Sequence, residues 1–164
     1  MVKLGKVPDF VLRHPPFCGE DCERFVATRL GKPVDLIPRR GLAWQLFHPE
    51  FPKMMKAGLG EFGILTEIHR VSLADRLEFL RRNADKPIAI WVRTNPTATV
   101  AAHIVVIAGF EDGLYFVMDD RIPNVRAYSP VLAIGNAAWS EEYLLSVWRG
   151  ASWRITASAV IPIL

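Results

Sequence analysis

Three side chains in this sequence form a set that can carry out acyl transfer: Cys18, His103 and Asp119. Cys18 is predicted at the start of a helix, where the helix dipole and the unpaired amide groups favour a thiolate. His103 lies inside the apolar segment 101–107, where packing gives no reason for a histidine. Asp119 ends the next apolar segment, and antiparallel strands joined by a tight turn can bring its carboxylate to the imidazole. A nucleophile, a base and an orienting group are what cysteine chemistry requires.

The same residue types also have ordinary structural roles. A lone histidine in a strand is often a hydrogen-bonded core residue, and cysteine often packs as a small apolar side chain. Cys22 lies one helical turn after Cys18, and we expect it to be buried in this way rather than to be the nucleophile. His14 adds a third group at a spacing of four, which zinc ligands could use. A pair of prolines follows His14 and no further cluster supplies a fourth ligand, so no metal site is predicted.

A helix that begins at Cys18 or Gly19 must present the candidate nucleophile. Acidic residues in its first turn suit the positive end of the helix dipole. Gly31 is placed to end the helix as the residue after its C-cap. The segment 42–57 then predicts short helical pieces broken by prolines, Pro52 among them.

A sheet that carries the histidine and the aspartate is predicted from the second half of the chain. Three apolar segments have strand length: 88–92, 100–108 and 114–118. Ser72 resembles the first residue of a capping box that starts one accompanying helix, and Ser140 caps another. The apolar segment 155–164 is expected to be a final buried strand. Helices first and strands later predict an α+β domain with a mostly antiparallel sheet.

The glycines from Gly58 to Gly63 match the G-x-G-x-x-G pattern of dinucleotide-binding sites. That site needs a strand before the pattern and a helix after it. Here a short helical piece precedes the glycines and a strand-like segment follows them, so the pattern does not predict nucleotide binding, and no cofactor is expected.

Length and composition predict one domain over residues 1–164. The chain has 164 residues, of which 51% are hydrophobic, enough for a core that needs no disulfide or metal. The formal net charge is +3 and the basic residues are scattered, which does not favour a nucleic-acid partner. No run approaches the roughly 18 apolar residues of a membrane span. Without a recognisable signal peptide, a cytoplasmic location is expected, and the oligomeric state is left open.

Several segments, in chain order, resemble one family of peptidases. Cys18-Gly19, with Gly31 thirteen residues after the cysteine, is similar to its CG…G opening. The segments 62–64 (FGI) and 86–90 (KPIAI) resemble its yGl turn and its KPvivxv strand. The segment 103–119, with HIVVIAGF, EDG and VMD, resembles its HxvVvxGyddg…vxDP motif. Together these segments resemble the C39-like peptidases, a papain-like family of the bacteriocin-processing type.

The resemblance implies a papain-like fold in which a helix carrying the cysteine packs on an antiparallel sheet carrying the histidine and aspartate. It also implies that Cys18 is the nucleophile, His103 the general base and Asp119 the orienting carboxylate. Two positions depart from the family pattern. Leu12 replaces a glutamine that helps to form the oxyanion hole, and loss of one such donor costs about 10²–10³ in rate. Asp120 stands where the family commonly has proline, so either aspartate could orient the imidazole.

We therefore expect a cysteine peptidase or amide hydrolase that acts on a peptide or protein through a thioester acyl-enzyme. Deamidases and acyltransferases use the same triad and are included in this expectation. His14 is a nearer substitute for the missing oxyanion donor than Gln45, the only glutamine. The missing glutamine motivates a second hypothesis, a catalytically silent papain-like module that binds a peptide or protein partner. The effect of Cys18→Ala on function distinguishes the two.

Overall fold

The computed structural model describes residues 3–4, 18–34, 38, 40, 50–121, 133–151 and 153–164. In chain order its elements are β1 (Lys3–Leu4), α1 (Cys18–Arg29), α2 (Phe51–Glu61), β2 (Thr66–Ser72), α3 (Arg76–Arg82), β3 (Ile88–Arg93), β4 (Ala101–Glu111), β5 (Leu114–Met118), β6 (Ala133–Gly135), β7 (Ala137–Ser140), α4 (Glu141–Val147) and β8 (Thr156–Pro162). Six strands form one sheet in the order β2-β8-β3-β4-β5-β7, and all its pairings are antiparallel. The short strands β1 and β6 pair in parallel. The predicted α+β class is confirmed.

The sheet separates two hydrophobic cores, because successive residues of a strand point to opposite faces. On β4, Ile104 and Val106 belong to the core under α1 and α2. Val105 and Ile107 belong to the core on the other face, with Trp148 and residues of α3 and α4. The helix with the candidate nucleophile therefore packs directly on the strand that carries the candidate base.

The hairpin between β4 and β5 sets the position of the residues after it. Its turn places Asp112 and Gly113 at φ 51° and 77°, the left-handed conformation that matches the twist of paired strands. The resulting register puts Met118 opposite Val106. Strand β4 starts five residues earlier, so the part of β4 before Val106 extends past the end of β5.

The end of β4 beyond β5 is where α1 meets the sheet. The Cys22 thiol donates a hydrogen bond to the carbonyl oxygen of Ile104 at 3.4 Å. A Cβ placed on Gly19 would lie 3.6 Å from the Ile104 side chain and still closer to Met54 of α2. The start of α1 is thus held between α2 and the projecting part of β4.

Most of the predicted elements are present. Helix α1 begins at Cys18, and Gly31 follows it at φ +72°. Ser140 caps α4 as expected, since its Oγ accepts the Tyr143 N–H at 3.1 Å. The last strand, β8, lies within the predicted apolar segment.

Two expectations about helices are wrong. Ser72 ends β2 rather than starting a helix, and α3 begins at Arg76 after a turn in which the Asp75 N–H donates to the Ser72 carbonyl. Pro52 does not break a helix, because it lies in the first turn of α2. A proline costs little there, since the first amide groups of a helix have no partner within the helix. Pro49 lies outside the described residues.

No described helix combines the length and the apolar character that crossing a membrane requires.

Candidate active site

His103 and Asp119 form a buried hydrogen-bonded pair at the end of the β4–β5 hairpin. Nε2 of His103 lies 2.8 Å from Oδ1 of Asp119. Only 5% of the histidine and 1% of the aspartate are exposed. The register of the hairpin explains the contact, because Asp119 follows directly after the strand that pairs with the middle of β4. With Nε2–H donated to the carboxylate, Nδ1 carries the lone pair that can accept a proton.

Asp119 is fixed from two further directions. Arg121 donates from Nε to Oδ1 at 3.1 Å and from Nη2 to Oδ2 at 2.8 Å, the two-pronged geometry that suits a carboxylate. Asn136 accepts the backbone N–H of Asp119 and donates to its carbonyl, both at 2.8 Å. Burial alone raises the pKa of this carboxyl, but hydrogen bonds from His103 and Arg121 outweigh it and hold the pKa well below the usual range. Asp119 is therefore ionised in the folded protein at neutral pH.

Asp120 is the second carboxylate near the imidazole, but it is more distant and has another partner. Its Oδ1 lies 3.7 Å from Nε2 of His103. Burial, then the charge of Asp21 and a hydrogen bond with Asp21, raise the pKa of Asp120 to about 7. Two neighbouring carboxylates cannot both ionise cheaply, so one proton is held by this pair near neutral pH. Of the two aspartates that the sequence leaves open, Asp119 is the one hydrogen-bonded to the histidine.

Cys18 is the first residue of α1 and is half-buried. Burial raises the pKa of its thiol, backbone hydrogen bonds at Ile104 and Gly19 oppose this, and the charges of Asp120 and Asp21 add to the increase. The sequence predicts a thiolate favoured by the helix dipole, and the structure differs. The reason is that burial and two nearby carboxyl groups outweigh the backbone hydrogen bonds that favour the thiolate.

The structure does not join the thiol to the imidazole. Among the described residues, no hydrogen bond links Sγ of Cys18 to His103. The two groups instead flank Ile104, which follows His103 in β4 and whose backbone hydrogen-bonds with Cys18. Cys18 is thus a thiol that contacts the backbone next to the histidine rather than one half of a thiolate–imidazolium pair.

Cys22 is a core residue, as the sequence predicts. Only 1% of it is exposed, and it belongs to the cluster under α1 and α2. Burial raises the pKa of its thiol well above the ordinary value. A buried, protonated thiol makes a poor nucleophile.

The acidic residues of α1 are buried, although the sequence suggests only a favourable interaction with the helix dipole. Asp21 and Glu23 have no exposed surface. Glu23 pairs with Arg40, which also lies 3.3 Å from Glu61. Gly58 provides the space, because a Cβ there would overlap the Glu23 carboxylate. The first glycine of the G-x-G-x-x-G pattern therefore serves helix packing.

Within the described part of the chain, one group of side chains could hold a metal ion. His103, Asp119 and Asp120 offer ligand atoms that lie within 4.8 Å of one another. Arg121 already neutralises Asp119 through two hydrogen bonds, and a cation at the same carboxylate would have to displace it. The metal alternative based on His14, and the oxyanion positions Leu12 and Gln45, lie outside the described residues.

Three residues of the site were missed by sequence reasoning: Asp21, Arg121 and Asn136. Arg121 follows two residues after Asp119, and a basic residue this close to a candidate carboxylate is a usable signal. Asp21 and Asn136 come from distant parts of the chain, and nothing in their local sequence indicates that they meet Asp119 or Asp120.

Comparisons with protein-family models and with curated proteins found no match to this chain.

Proposed function

We propose that this protein is a papain-like cysteine peptidase or amide hydrolase in which Cys18 is the nucleophile, His103 the general base and Asp119 the orienting carboxylate. The observation that supports this most is the buried hydrogen bond of 2.8 Å between His103 and Asp119, beside the helix start that carries a cysteine. Burying a histidine with an ionised carboxylate costs desolvation free energy, and a function at this site would explain why the chain keeps the pair. Strongly perturbed carboxyl groups concentrate at functional sites.

The protonated state of Cys18 determines how such a reaction would start. Nδ1 of His103 takes the thiol proton as Sγ attacks the amide carbonyl carbon, and the C–O π electrons move to oxygen. The oxygen then returns its electrons, the C–N bond breaks, and the imidazolium gives its proton to the leaving amine. A water deprotonated at Nδ1 attacks the thioester, which releases the acid and restores the thiol.

Asp119 supports both steps by holding the ring and by stabilising the imidazolium. Its ionised carboxylate keeps Nε2–H donated, which leaves Nδ1 free to exchange the proton. The backbone N–H of Cys18, at the start of α1, supplies one donor for the oxyanion.

The test is the alkylation of the two cysteines by iodoacetamide, each followed by peptide mass mapping between pH 5 and 10. We expect Cys18 to react and Cys22 to stay slow, because Cys22 is buried. At pH 6–7 we expect His103→Ala to slow the reaction at Cys18 by about tenfold or more, since general-base assistance is worth about 10²–10⁴ in catalysis. His69→Ala, a substitution of a half-exposed histidine on β2, is the matched control. Equal rates at Cys18 in wild type and His103→Ala would contradict the proposal.

A silent binding module is the second candidate, and the raised pKa of the Cys18 thiol favours it. In that case Cys18→Ala leaves peptide binding and all measurable function unchanged. Release of amine from a peptide or amide substrate that depends on Cys18 excludes this candidate.

A further inference from the structure

A cavity of about 170 Å³ lies at the same end of the sheet as Cys18 and His103. Trp91 of β3 lines it and is the register partner of Ile104, the residue whose backbone contacts both cysteine thiols. Ala101 also lines it, two residues before His103 on the same strand. Neighbouring strands are about 5 Å apart, so the cavity lies roughly one strand away from the candidate nucleophile.

The walls of the cavity are apolar and partly aromatic. Trp153 lines it with 78% of its surface exposed, which leaves its indole ring accessible to a ligand. Trp91 is held in place by Phe51 of α2, with ring centroids 5.9 Å apart. The volume lies below the roughly 300–1,000 Å³ of pockets for whole small ligands. It suits a single large side chain of a longer molecule.

Polar groups converge on this apolar space. Arg154 lines it and makes no ion pair with any described residue. Its aliphatic stem packs on Gly150, where an added Cβ would lie 3.3 Å from Cδ of Arg154. The hydroxyl groups of Thr156 and Ser158 line the cavity as well, and within the described residues neither makes a hydrogen bond. An apolar cavity with a few convergent polar groups is the usual form of a recognition site.

We propose that this cavity is the subsite that receives a large apolar side chain of a peptide substrate, and that Arg154 pairs with a carboxylate on the adjoining residue. The proposal rests on the proposed function, because the register places Trp91 of the cavity opposite Ile104, whose backbone hydrogen-bonds with Cys18. It names the substrate class as peptides in which an aromatic or large aliphatic residue stands next to an acidic one. The charge of Arg154 acts on Glu50, but its guanidinium makes no ion pair with a described carboxylate. It is therefore available to an acidic residue of the peptide.

The experiment measures binding of two peptides, acetyl-Ala-Phe-Glu-Ala amide and its Gln counterpart, to the full chain carrying Cys18→Ser. This substitution prevents turnover, so binding is read separately from catalysis. Isothermal titration at low ionic strength is expected to show two- to fivefold tighter binding of the acidic peptide, the range of a partly exposed ion pair. Arg154→Gln removes this preference, whereas Arg29→Gln, which removes an exposed charge at the far end of α1, preserves it. Trp153→Ala is expected to weaken the binding of both peptides by about fivefold or more.

Several results would overturn the subsite. These are no saturable binding of either peptide, unchanged binding in Trp153→Ala, or an acidic preference that survives Arg154→Gln. Trp153→Ala and Arg154→Gln both change exposed residues, so we expect both variants to fold and their binding to be comparable with that of the parent protein. Failure of the hydrolase is a different result: the binding pattern holds, but His103→Ala has no effect on Cys18 alkylation and no amine is released. The cavity would then be the recognition site of a binding module.

Discussion

At His103, a single hydrogen bond decides which ring nitrogen can accept a proton. Asp119 accepts from Nε2, and its own oxygens are held by Arg121. The carboxylate thus fixes the ring and stays ionised at the same time. This arrangement costs the chain a buried charge, which the arginine compensates.

Replacement of Asp119 by asparagine tests both effects. We expect activity to fall by about 10²–10⁴ because the ring is no longer held in the useful tautomer. The pKa of Asp119 is lowered on folding, so its stabilising contribution is present above the ordinary value of 3.8 and is lost as the pH falls through the folded value. Urea unfolding should show Asp119→Asn less stable by about 1–3 kcal/mol at pH 7, with a difference that shrinks below pH ~4. Asp75→Asn, a substitution of an exposed aspartate that makes no capping bond, should change neither property.

Replacement of Asp120 by asparagine should act in the opposite direction. Because folding raises the pKa of Asp120 to about 7, the folded protein loses stability as the pH rises through that value. Asp120→Asn should therefore be more stable than wild type at pH 8, by on the order of 2 kcal/mol, and equal to it in acid below the ordinary value of 3.8. The same change removes a charge that raises the pKa of Cys18, so alkylation of Cys18 should shift to lower pH.

The control for this variant is Asp85→Asn, which neutralises an exposed carboxylate that is distant from Asp120 in the sequence. Equal stability of Asp120→Asn and wild type at pH 8 would show that ionising Asp120 beside Asp21 does not destabilise the folded protein. An unshifted alkylation profile would show that Asp120 does not influence the thiol.

Residues of the hairpin could be predicted because the contact between His103 and Asp119 follows from local strand register. The protonation state of the Cys18 thiol could not be predicted from the sequence. Its pKa depends on burial and on Asp120 and Asp21. Asp21 lies in the same helix, but the burial and the approach of Asp120 arise only when α1 packs on β4. A helix-start rule applied to the sequence gives the wrong direction for this thiol because it omits tertiary neighbours.

Among the elements, α2 is fitted against α1 at one glycine. Gly58 faces the buried Glu23 carboxylate, whereas Gly60 in the same helix has no atom within 4 Å of an added Cβ. Gly58→Ala should destabilise the protein by about 1–3 kcal/mol through overpacking. Gly60→Ala should stabilise it by up to about 1 kcal/mol, since alanine is the better helix former. Urea unfolding of the two variants gives the comparison, and a similar effect of both would contradict this account of the helix contact.

Element boundaries show what sequence patterns can and cannot supply. Ser140 works as a cap because its hydroxyl reaches the Tyr143 amide, and this is a local signal. Ser72 carries the same signal, yet it is the last residue of β2, where Thr156 of β8 is its register partner. Pairing with a strand that is distant in sequence overrides a local capping preference.

Across the whole molecule, the last strand is an interior strand of the sheet. β8 lies between β2 and β3 and pairs with both. Removal of residues 156–164 should therefore abolish cooperative thermal unfolding followed by circular dichroism. Removal of Leu164 alone, which is 72% exposed, should leave the transition in place. A cooperative transition in the longer truncation would show that β2 and β3 can form a stable sheet without β8.

The α+β class could be predicted from the order of apolar segments, but the strand order could not. Segment 155–164 predicts a buried strand, and β8 forms within it. Its position between β2 and β3, which come much earlier in the chain, depends on contacts of high sequence separation. Such pairings are not encoded in any single local pattern.

The projecting part of β4 has a further consequence for the behaviour of the protein in solution. Unpaired strand edges invite pairing with another chain, which leads to aggregation. At Ile104 the Cys22 thiol covers that edge. It donates a hydrogen bond to the carbonyl oxygen that β5 does not reach. The helix that presents the candidate nucleophile therefore also shields an open strand edge, so bulky modification of Cys22 would expose a surface for self-association as well as disturb the site.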